Sequence, residues 1–347
     1  MSFLSNVIAG IDNTHVASSG DNSSEFSGTI DTGSYILNAA MSGSLYGGVP
    51  NNKIVAFAGE SATGKTFFVL GVIKQFLDDN PDGGVIYFDT EAAVTKNMMT
   101  TRGIDVDRVV ISEPQSIEEF RTNAVRMLES YNDSKEQPPM MMVLDSLGML
   151  SSVKELEDTA SGKQARDMTK AQLLRGTFRV LSLKLAKANV PLLVTNHVYD
   201  VVGAYIPTKE ISGGSGLKYA ASSIAMLSKK KDKDGTDVVG NIIKVTMHKS
   251  RFTKENKKVE VKLSYDTGLD RYYGLLDLAE KYDIIKKVST RYELPDGRKV
   301  FGKAINENPE EYFTDDIMAQ LEEAAHKEFM YGRDDDEDIQ EEEATMQ

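Results

Sequence analysis

Eight consecutive residues have the types and spacing of a phosphate-binding loop: two glycines separated by four residues, then a lysine and a threonine. Glycines let the backbone curl until its N–H groups point at phosphate oxygens. The lysine then reaches the β and γ phosphates, and the threonine hydroxyl ligates Mg²⁺. The pattern predicts a site for ATP and Mg²⁺, built from Gly59, Glu60, Ser61, Ala62, Thr63, Gly64, Lys65 and Thr66.

Acidic residues follow two other apolar runs and supply further groups that ATP hydrolysis needs. Asp145 ends the run Met140–Leu144, where its carboxylate can hold the coordination shell of Mg²⁺. Taken alone, an aspartate at the end of a strand is more often a cap or turn residue. Glu91 follows the run Val85–Phe88 and is the candidate for orienting the attacking water, whereas Asp89 can instead cap the next turn.

The apolar runs and the amphipathic stretches between them predict the scaffold for these residues. Short β-rich runs alternate with helical intervals, which is typical of a mostly parallel sheet covered on both faces. Ligands bind at the carboxyl ends of such strands. The predicted strands are Ile54–Ala58, Val85–Phe88, Met140–Leu144 and Pro191–Thr195, and the predicted helices are Lys65–Phe76, Ile117–Tyr131 and Asp167–Ala188.

From Ser223 the pattern changes to strand-like runs joined by polar turns, which predicts hairpins that extend the sheet. These runs are Ser223–Leu227, Ile242–Met247 and Val259–Leu263, and two later helices are expected near Leu275–Tyr282 and Asp315–Phe329. The predicted organisation is an N-terminal oligomerisation arm and linker (1–34), an α/β ATPase core (35–268), a small C-terminal α+β domain (269–332) and an acidic tail (333–347). Repulsion among its carboxylates predicts that the tail is disordered.

Composition excludes several classes of protein. The 347 residues include no cysteine, so a disulfide framework and a thiolate metal site are both impossible. No apolar run approaches the ~20 residues of a membrane span, and the first residues lack the features of a secretory signal. We therefore expect a cytoplasmic protein, in the host cytoplasm if the source is a phage, with no membrane partner.

The net charge of −13 is unevenly distributed along the chain. Residues 331–347 hold eight acidic residues and one arginine. Residues 163–187 hold seven basic and one acidic residue, and residues 229–262 hold eleven basic and five acidic residues. Such stretches are compatible with a polyanionic partner, although charge alone equally fits ordinary solvated faces.

Taken together, five motifs resemble the RecA recombinases, and most closely their bacteriophage branch, the UvsX type. The resemblance runs from about Asp31 to Gly274. It implies a RecA-like fold and a DNA-dependent ATPase that forms a helical filament on single-stranded DNA and pairs it with homologous duplex DNA. Mediator and single-strand-binding proteins are the other implied partners. The motifs are the phosphate-binding loop, Asp89-Thr90-Glu91, Leu144-Asp145-Ser146, Thr195-Asn196-His197 and Ile211-Ser212-Gly213-Gly214-Ser215-Gly216-Leu217-Lys218-Tyr219.

The resemblance also implies catalytic roles. Glu91 matches the glutamate that activates water, and His197 falls where a polar side chain senses the γ-phosphate, a position occupied by glutamine in cellular members. Lys249 and Arg251 match a basic pair that reaches the ATP of the neighbouring subunit. On a strand, residues two apart point to the same side, so both cations can converge on one ligand. Without the resemblance, His197 reads as a surface histidine and the basic pair as solvated strand charges.

Two segments resemble the DNA-binding loops of the family, roughly Ser151–Arg166 and His197–Ser215. In the second, Gly213 and Gly214 permit close backbone approach to a DNA phosphate. Tyr205 stands where relatives place an aromatic or apolar residue that stacks on bases. Arg175 and Arg179, four residues apart on one helical face, suit a DNA backbone, although they equally suit a solvated helix surface.

Two other functions remain compatible with a RecA-like fold. A ring-shaped helicase motor would form a closed hexamer and usually carries an added helicase or zinc domain, for which the sequence shows no pattern. A non-catalytic accessory paralogue would only bind recombinases. The complete phosphate-binding loop together with Glu91 argues against the paralogue, because a protein freed from hydrolysis needs neither.

Overall fold

The structure is a computed structural model that describes residues 28–162, 169–200, 209–234, 237–264 and 268–332. Fifteen strands lie within these ranges. They are β1 (Thr29–Ile30), β2 (Val49–Pro50), β3 (Ile54–Gly59), β4 (Gly84–Asp89), β5 (Val109–Ser112), β6 (Met140–Asp145), β7 (Leu192–Asp200), β8 (Lys209–Ile211), β9 (Ser223–Asp234), β10 (Asp237–Ser250), β11 (Lys258–Ser264), β12 (Gly268–Leu269), β13 (Lys286–Val288), β14 (Arg291–Glu293) and β15 (Lys299–Val300).

Eleven α-helices connect these strands within the same ranges. They are α1 (Tyr35–Ser42), α2 (Lys65–Asp79), α3 (Lys96–Thr100), α4 (Ile117–Asp133), α5 (Val153–Ala160), α6 (Lys170–Ala188), α7 (Ser215–Ala220), α8 (Leu275–Lys281), α9 (Gly302–Glu307), α10 (Pro309–Tyr312) and α11 (Asp315–Phe329). No helix within the described ranges combines the length and the apolar composition that crossing a membrane requires.

The strand β3 shows why the sheet is covered on both faces. All six of its residues are buried. Successive side chains of a strand point to opposite faces. Val55 and Phe57 accordingly pack in one hydrophobic cluster, while Ile54 and Ala56 pack in the other. A strand buried on both faces reads as a continuous apolar run, and parallel strands commonly have this pattern.

The large sheet has ten strands in the order β12-β11-β10-β9-β3-β7-β6-β4-β5, with β8 paired to β7 outside this path. The strands from β9 to β5 pair in parallel with their neighbours. β9, β10, β11 and β12 pair in antiparallel fashion and widen the sheet, as the hairpin pattern predicts. The carboxyl ends of β3, β4, β6 and β7 therefore lie along one edge.

Two layers of helices cover the sheet. Residues of α1 and α2 pack on one face in a cluster that also contains residues of α8 and α11, including Leu275 and Leu321. Residues of α4, α6 and α7 pack on the other face, including Phe120, Phe178 and Leu217. The C-terminal segment adds a small antiparallel sheet, β13-β14-β15. Since this segment shares a hydrophobic cluster with the α/β core, a domain boundary at residue 269 stays a prediction.

The strands extend beyond the sequence-based bounds mainly at their carboxyl ends, where the polar site residues lie. The sequence predicted a strand ending at Thr195, but β7 continues to Asp200 because it pairs with β8. The sequence did not predict most of the shorter elements, among them the strand Val109–Ser112 at the sheet edge and the helix Tyr35–Ser42. Residues 1–27 of the predicted N-terminal oligomerisation arm and the whole acidic tail lie outside the described residues.

Candidate nucleotide site and nucleic-acid interface

The phosphate-binding loop joins β3 to α2, as predicted. Gly59 lies so close to the neighbouring strand that a Cβ there would come within 2.8 Å of the Leu227 carbonyl oxygen and 2.7 Å of Thr63 Oγ1. No larger residue fits without a backbone shift. Ala62 and Gly64 have left-handed backbone conformations, with φ of 57° and 92°. The loop therefore curls tightly before α2 begins at Lys65.

Lys65 is buried inside this loop, with 7% of its surface exposed. Its Nζ donates hydrogen bonds to the carbonyl oxygens of Gly59 at 3.1 Å and Glu60 at 2.9 Å. Burial lowers the pKa of Lys65, and the carboxylates of Glu91 and Asp145 only partly oppose this effect. A buried ammonium is stabilised by an additional anion, so the site favours a phosphate ligand.

Asp145, at the end of β6, connects four elements through its carboxylate. Its Oδ2 accepts hydrogen bonds from Thr66 Oγ1 at 2.7 Å and from the Tyr87 hydroxyl at 2.7 Å. Its Oδ1 accepts a hydrogen bond from the Thr195 hydroxyl. Burial and the neighbouring carboxylate raise the pKa of Tyr87, so its hydroxyl keeps its proton and remains a donor.

The pair Thr66 and Asp145 fits a Mg²⁺ ion chemically, because Mg²⁺ prefers hydroxyl, carboxylate, water and phosphate oxygens. The described residues contain no group of three or more histidine, aspartate or glutamate side chains that could hold a metal on their own. One hydroxyl and one carboxylate 2.7 Å apart are therefore a partial ligand set. Such a set suits an ion that phosphate oxygens and water also ligate.

Glu91 lies beside His197 and Ser146, although the three residues are distant in sequence. Its Oε1 accepts a hydrogen bond from Ser146 Oγ at 2.5 Å and lies 3.1 Å from His197 Nε2. Partial burial raises the pKa of Glu91, but the hydrogen bonds with Ser146 and His197 outweigh this effect, so the pKa lies below its ordinary value. Glu91 is therefore an ionised acceptor at neutral pH, as a water-orienting group must be.

Parallel pairing places His197 next to the phosphate-binding loop. Along the β3–β7 pair, His197 is in register with Gly59, the first residue of the loop.

Asp89 has a different task from Glu91: its carboxylate accepts the N–H groups of Glu91 at 3.0 Å and Val94 at 3.1 Å. Asp89 therefore caps the next turn, which was one of the two roles expected from the sequence. This cap helps to hold the Glu91 backbone in place.

Lys249 and Arg251 converge on the same group of backbone carbonyls. Lys249 Nζ donates to the carbonyls of Lys218 at 2.6 Å and Ala221 at 2.7 Å, and Arg251 Nη2 donates to the Tyr219 carbonyl at 3.1 Å. The prediction that both cations lie on one strand is wrong for Arg251. β10 ends at Ser250, and the register shifts between Met247 and Lys249. The cations converge because the end of α7 offers carbonyl oxygens to both.

The nucleic-acid candidates that the structure describes lie together on α6 and on the turn before α7. Arg175 and Arg179 are both exposed, and Arg175 Nη2 donates to Ser215 Oγ at 3.2 Å. Gly213 and Gly214 have φ of 82° and 72°, conformations that suit glycine. Tyr205 lies in residues 201–208, outside the described residues.

Several residues of this region were missed by sequence reasoning. Lys209 forms an ion pair with Glu60, and Lys229 Nζ donates to the Ala62 carbonyl at 2.5 Å, so two lysines from later strands contact the phosphate-binding loop. Lys53 lines a cavity of about 510 Å³ together with Arg179 and Arg251. Burial and the nearby Arg251 lower the pKa of Lys53. Lys229 belongs to the basic stretch of residues 229–262. No sequence pattern, however, indicates that Lys209 or Lys229 contacts the phosphate-binding loop.

Comparisons with known proteins agree with this geometry. The family model for the RecA N-terminal domain matches residues 4–270. The recombination and repair protein of Enterobacteria phage T4 is 31% identical over 252 residues, which are 73% of this chain and 63% of that protein. The match thus spans less than two thirds of the length of the phage relative. The protein RecA of Levilactobacillus brevis is 29% identical over 326 residues, covering 92% of this chain and 81% of that protein. With most of its sequence matched, the chain belongs to the RecA N-terminal domain family.

Proposed function

We propose that this chain is an ATP-dependent DNA recombinase that forms a helical filament on single-stranded DNA and catalyses pairing and strand exchange with homologous duplex DNA. The observation that carries the proposal is a single site at the carboxyl ends of β3, β4, β6 and β7. This site contains the buried Lys65, the hydrogen-bonded pair Thr66 and Asp145, and the hydrogen-bonded pair Glu91 and His197. The relatives named RecA and recombination and repair protein support the same function.

The proposed roles follow from the hydrogen bonds of these residues. Bound ATP with Mg²⁺ supplies the phosphoryl group that is transferred to water and the cation that shields its charge. Lys65 stabilises the phosphate charge, while Thr66 and Asp145 hold Mg²⁺. Glu91 orients the attacking water and accepts its proton. Ser146, which donates to Glu91 at 2.5 Å, fixes the direction of that carboxylate.

His197 also stands at the base of the β7–β8 hairpin, which supports a link between the nucleotide and DNA. The Ser212 N–H donates to the His197 carbonyl at 2.9 Å, and Asn196 Nδ2 donates to the Ser212 carbonyl at 2.8 Å. Gly213 and Gly214 follow directly. Contact between His197 and the γ-phosphate would therefore shift the glycine turn, as phosphate contacts order the switch segments of GTPases. In this proposal, ATP stabilises the DNA-binding conformation and hydrolysis resets it.

Lys249 and Arg251 are proposed to act on the ATP of the neighbouring subunit in the filament. Burial lowers the pKa of Lys249, and the adjacent Arg251 lowers it further. Two cations held together in this way are stabilised by an anion. A neighbouring triphosphate would supply that anion and gain transition-state stabilisation comparable to that from an arginine finger.

The proposed DNA contacts are Arg175, Arg179, Tyr205, Gly213 and Gly214, of which Arg175 and the glycine turn adjoin one another. Guanidinium groups and backbone N–H groups bind phosphates and position a strand without reading its sequence. This matches strand exchange, in which base pairing selects the partner. Mediator and single-strand-binding proteins are proposed as further partners.

The rate of ATP hydrolysis with and without single-stranded DNA tests the proposal. We expect strong stimulation by DNA, loss of hydrolysis in Lys65→Ala, and helical filaments by electron microscopy with a non-hydrolysable ATP analogue. Closed rings would indicate a helicase-type motor instead. A rate of ATP hydrolysis that single-stranded DNA does not change, together with the absence of filaments, would contradict the proposed function.

A further inference from the structure

A groove runs between α4 and α6 on the face of the molecule that carries Arg175 and Arg179. It encloses a cavity of about 530 Å³. Three of its lining side chains are arginines, contributed by both helices, and one is a glutamate. The lining residues are Glu118, Arg121, Thr169, Gln172, Leu173, Arg175, Gly176 and Arg179.

The charge of this groove is not neutralised within the described part of the chain. The side chains of Arg121 and Arg179 form no hydrogen bond or ion pair with any residue that the structure describes. Glu118 is the only carboxylate in the lining, and it already accepts the Val153 N–H at 3.2 and 3.3 Å, at the start of α5. The groove therefore presents guanidinium groups that an external anion can bind.

Gly176 provides a second, independent observation. It lies in the interior of α6, where glycine is less favourable than alanine because it loses more conformational freedom on folding. A Cβ at this position would meet no atom within 4 Å, so packing does not require glycine here. The residue lines the groove, and the absence of a side chain leaves its floor open to a ligand.

The groove is connected to the other DNA candidates. Arg175 lines it and also donates to Ser215 Oγ at 3.2 Å, next to the Gly213–Gly214 turn. Arg179 lines it and also lines the 510 Å³ cavity that holds Lys53 and Arg251. A ligand lying along α6 would therefore pass from the glycine turn into the groove.

We infer that the groove between α4 and α6 binds the phosphodiester backbone of DNA, with Arg121 as a phosphate contact and Gly176 providing room for the backbone. This inference rests on the proposed function and adds two residues and one helix to it. Arginine matches phosphate geometry with a planar fork of donors, and an open cavity bordered by two helices suits an extended strand.

The first test compares Arg121→Ala with Arg126→Ala, which removes an exposed arginine from the same helix outside the groove. Binding of fluorescent single-stranded and duplex oligonucleotides is measured by anisotropy at several salt concentrations, with a non-hydrolysable ATP analogue present. We expect Arg121→Ala to weaken binding several-fold at low salt and to reduce the salt slope by about one phosphate contact. Arg126→Ala should behave like the unmodified chain. Equal curves for all three proteins would overturn the inference.

If Arg121→Ala binds both oligonucleotides more weakly, the groove contacts the phosphodiester backbone of both kinds of DNA. If it binds only the single strand more weakly, the groove contacts single-stranded DNA. Either result supports the groove as a DNA site. If the unmodified chain binds DNA and is stimulated by it while Arg121→Ala is unchanged, the proposed function stands and only this inference fails. If the unmodified chain does not bind DNA, both fail.

A second test uses Gly176→Ala and Gly176→Leu, because their effects on stability and on binding should differ in sign. Replacing glycine by alanine in a helix interior should raise the melting temperature. Any side chain added to the floor of the groove should at the same time lower the affinity for DNA. We expect the affinity to fall further with leucine than with alanine, at unchanged ATP hydrolysis without DNA. If Gly176→Ala raises the melting temperature without changing DNA affinity, and Gly176→Leu also binds DNA as tightly as the unmodified chain, the groove is not a DNA site.

Discussion

At the scale of single residues, the candidate site depends on how each ionisable group is held. Burial of part of Glu91 by itself would favour its protonated form, but Ser146 and His197 stabilise the carboxylate. Asp145 accepts three hydroxyl donors, from Thr66, Tyr87 and Thr195. Both carboxylates are therefore fixed in direction before any substrate contact, which is how a catalytic group avoids reorganisation during the reaction.

Replacing Glu91 by glutamine tests its proposed role. Glutamine keeps a similar shape and can still bond Ser146, but it cannot accept a proton from water. We expect turnover to fall ~10²-fold or more, the scale of a positioned acid–base group, at nearly unchanged ATP affinity. Single-turnover hydrolysis and nucleotide titration measure the two quantities separately. A large loss of affinity with little change in turnover would make Glu91 a binding residue instead.

Asp277, in the first turn of α8, supplies a prediction about pH. Burial raises its pKa above 3.8, and the carboxylates of Glu260 and Glu280 raise it further. Its ionised form is thus less favourable in the folded chain than in the unfolded chain. The penalty is fully present above the folded pKa and disappears as the pH falls below the unfolded value.

Asp277→Asn should therefore raise the melting temperature at pH 7, and the gain should shrink as the pH approaches 4. Asp82→Asn, which changes an exposed carboxylate before β4, is the control and should give little change at either pH. Thermal unfolding at a series of pH values measures the difference. A stabilisation by Asp277→Asn that grows toward acidic pH would contradict the assigned sign.

At the scale of elements, the crossing of α6 and α7 sets the position of the glycine turn and of Arg175. A Cβ on Gly216 would lie 2.9 Å from the backbone nitrogen of Arg175 and 3.0 Å from its Cα. The two helices can approach this closely only because residue 216 has no side chain. Backbone atoms cannot move aside as the end of a flexible side chain can, so this contact determines where α7 lies.

Gly216→Ala should separate the two helices and lower the free energy of unfolding by roughly 1–3 kcal/mol, the usual cost of overpacking. DNA binding should weaken with it, because Ser215 and the glycine turn move with α7. Urea unfolding gives the stability. Gly176→Ala adds the same methyl group on α6, where a Cβ would meet no atom within 4 Å, so this comparison variant is expected to be more stable. A Gly216→Ala protein as stable as the unmodified chain would show that α7 has room to shift.

At the scale of the whole molecule, the proposed filament would divide the nucleotide site between neighbouring copies of the chain. The phosphate-binding loop is one part, and Lys249 with Arg251 is the other. Within one chain, the basic pair contacts backbone carbonyls at the end of α7. Hydrolysis in a filament would then require an intact loop and an intact basic pair at the same subunit interface.

Mixing two inactive variants tests this division. Lys249→Ala and Lys65→Ala should each lose DNA-stimulated hydrolysis when assayed alone. In mixed filaments, some interfaces combine an intact loop from one subunit with an intact basic pair from the other, so activity should be partly restored. Fluorescently labelled subunits establish that the two proteins co-assemble. Co-assembly without any recovery would place both half-sites in one chain.

The acidic tail, Asp334–Glu343, lies outside the described residues, and its sequence carries a prediction of its own. Carboxylates near a DNA-binding surface repel phosphates, and Mg²⁺ can neutralise them. Truncation after Arg333 should tighten duplex binding, most at low salt, because the Debye length is about 8 Å at ~0.15 M salt. Basal ATP hydrolysis should change little. Superimposable duplex titrations of the full-length and truncated proteins would leave the tail as a solubility or docking element.

The sequence by itself was enough for features that depend on residues close together in the chain. The phosphate-binding loop was recognised because its glycines, Lys65 and Thr66 are consecutive or nearly so. Apolar runs located the core strands, since a strand buried on both faces needs continuous apolar residues. The short edge strand Val109–Ser112 was missed because its burial is partial and its run is brief.

Only the tertiary structure decided which distant residues meet. Thr66 and Asp145 are 79 positions apart, and Glu91 and His197 are 106 apart, yet both pairs form hydrogen bonds. The order and register of the parallel strands bring them together, and composition does not encode that order. The groove between α4 and α6 has the same origin. Arg121 on a helix surface reads as solvated charge, and it becomes a candidate contact only because α6 places Arg175 and an open glycine opposite it.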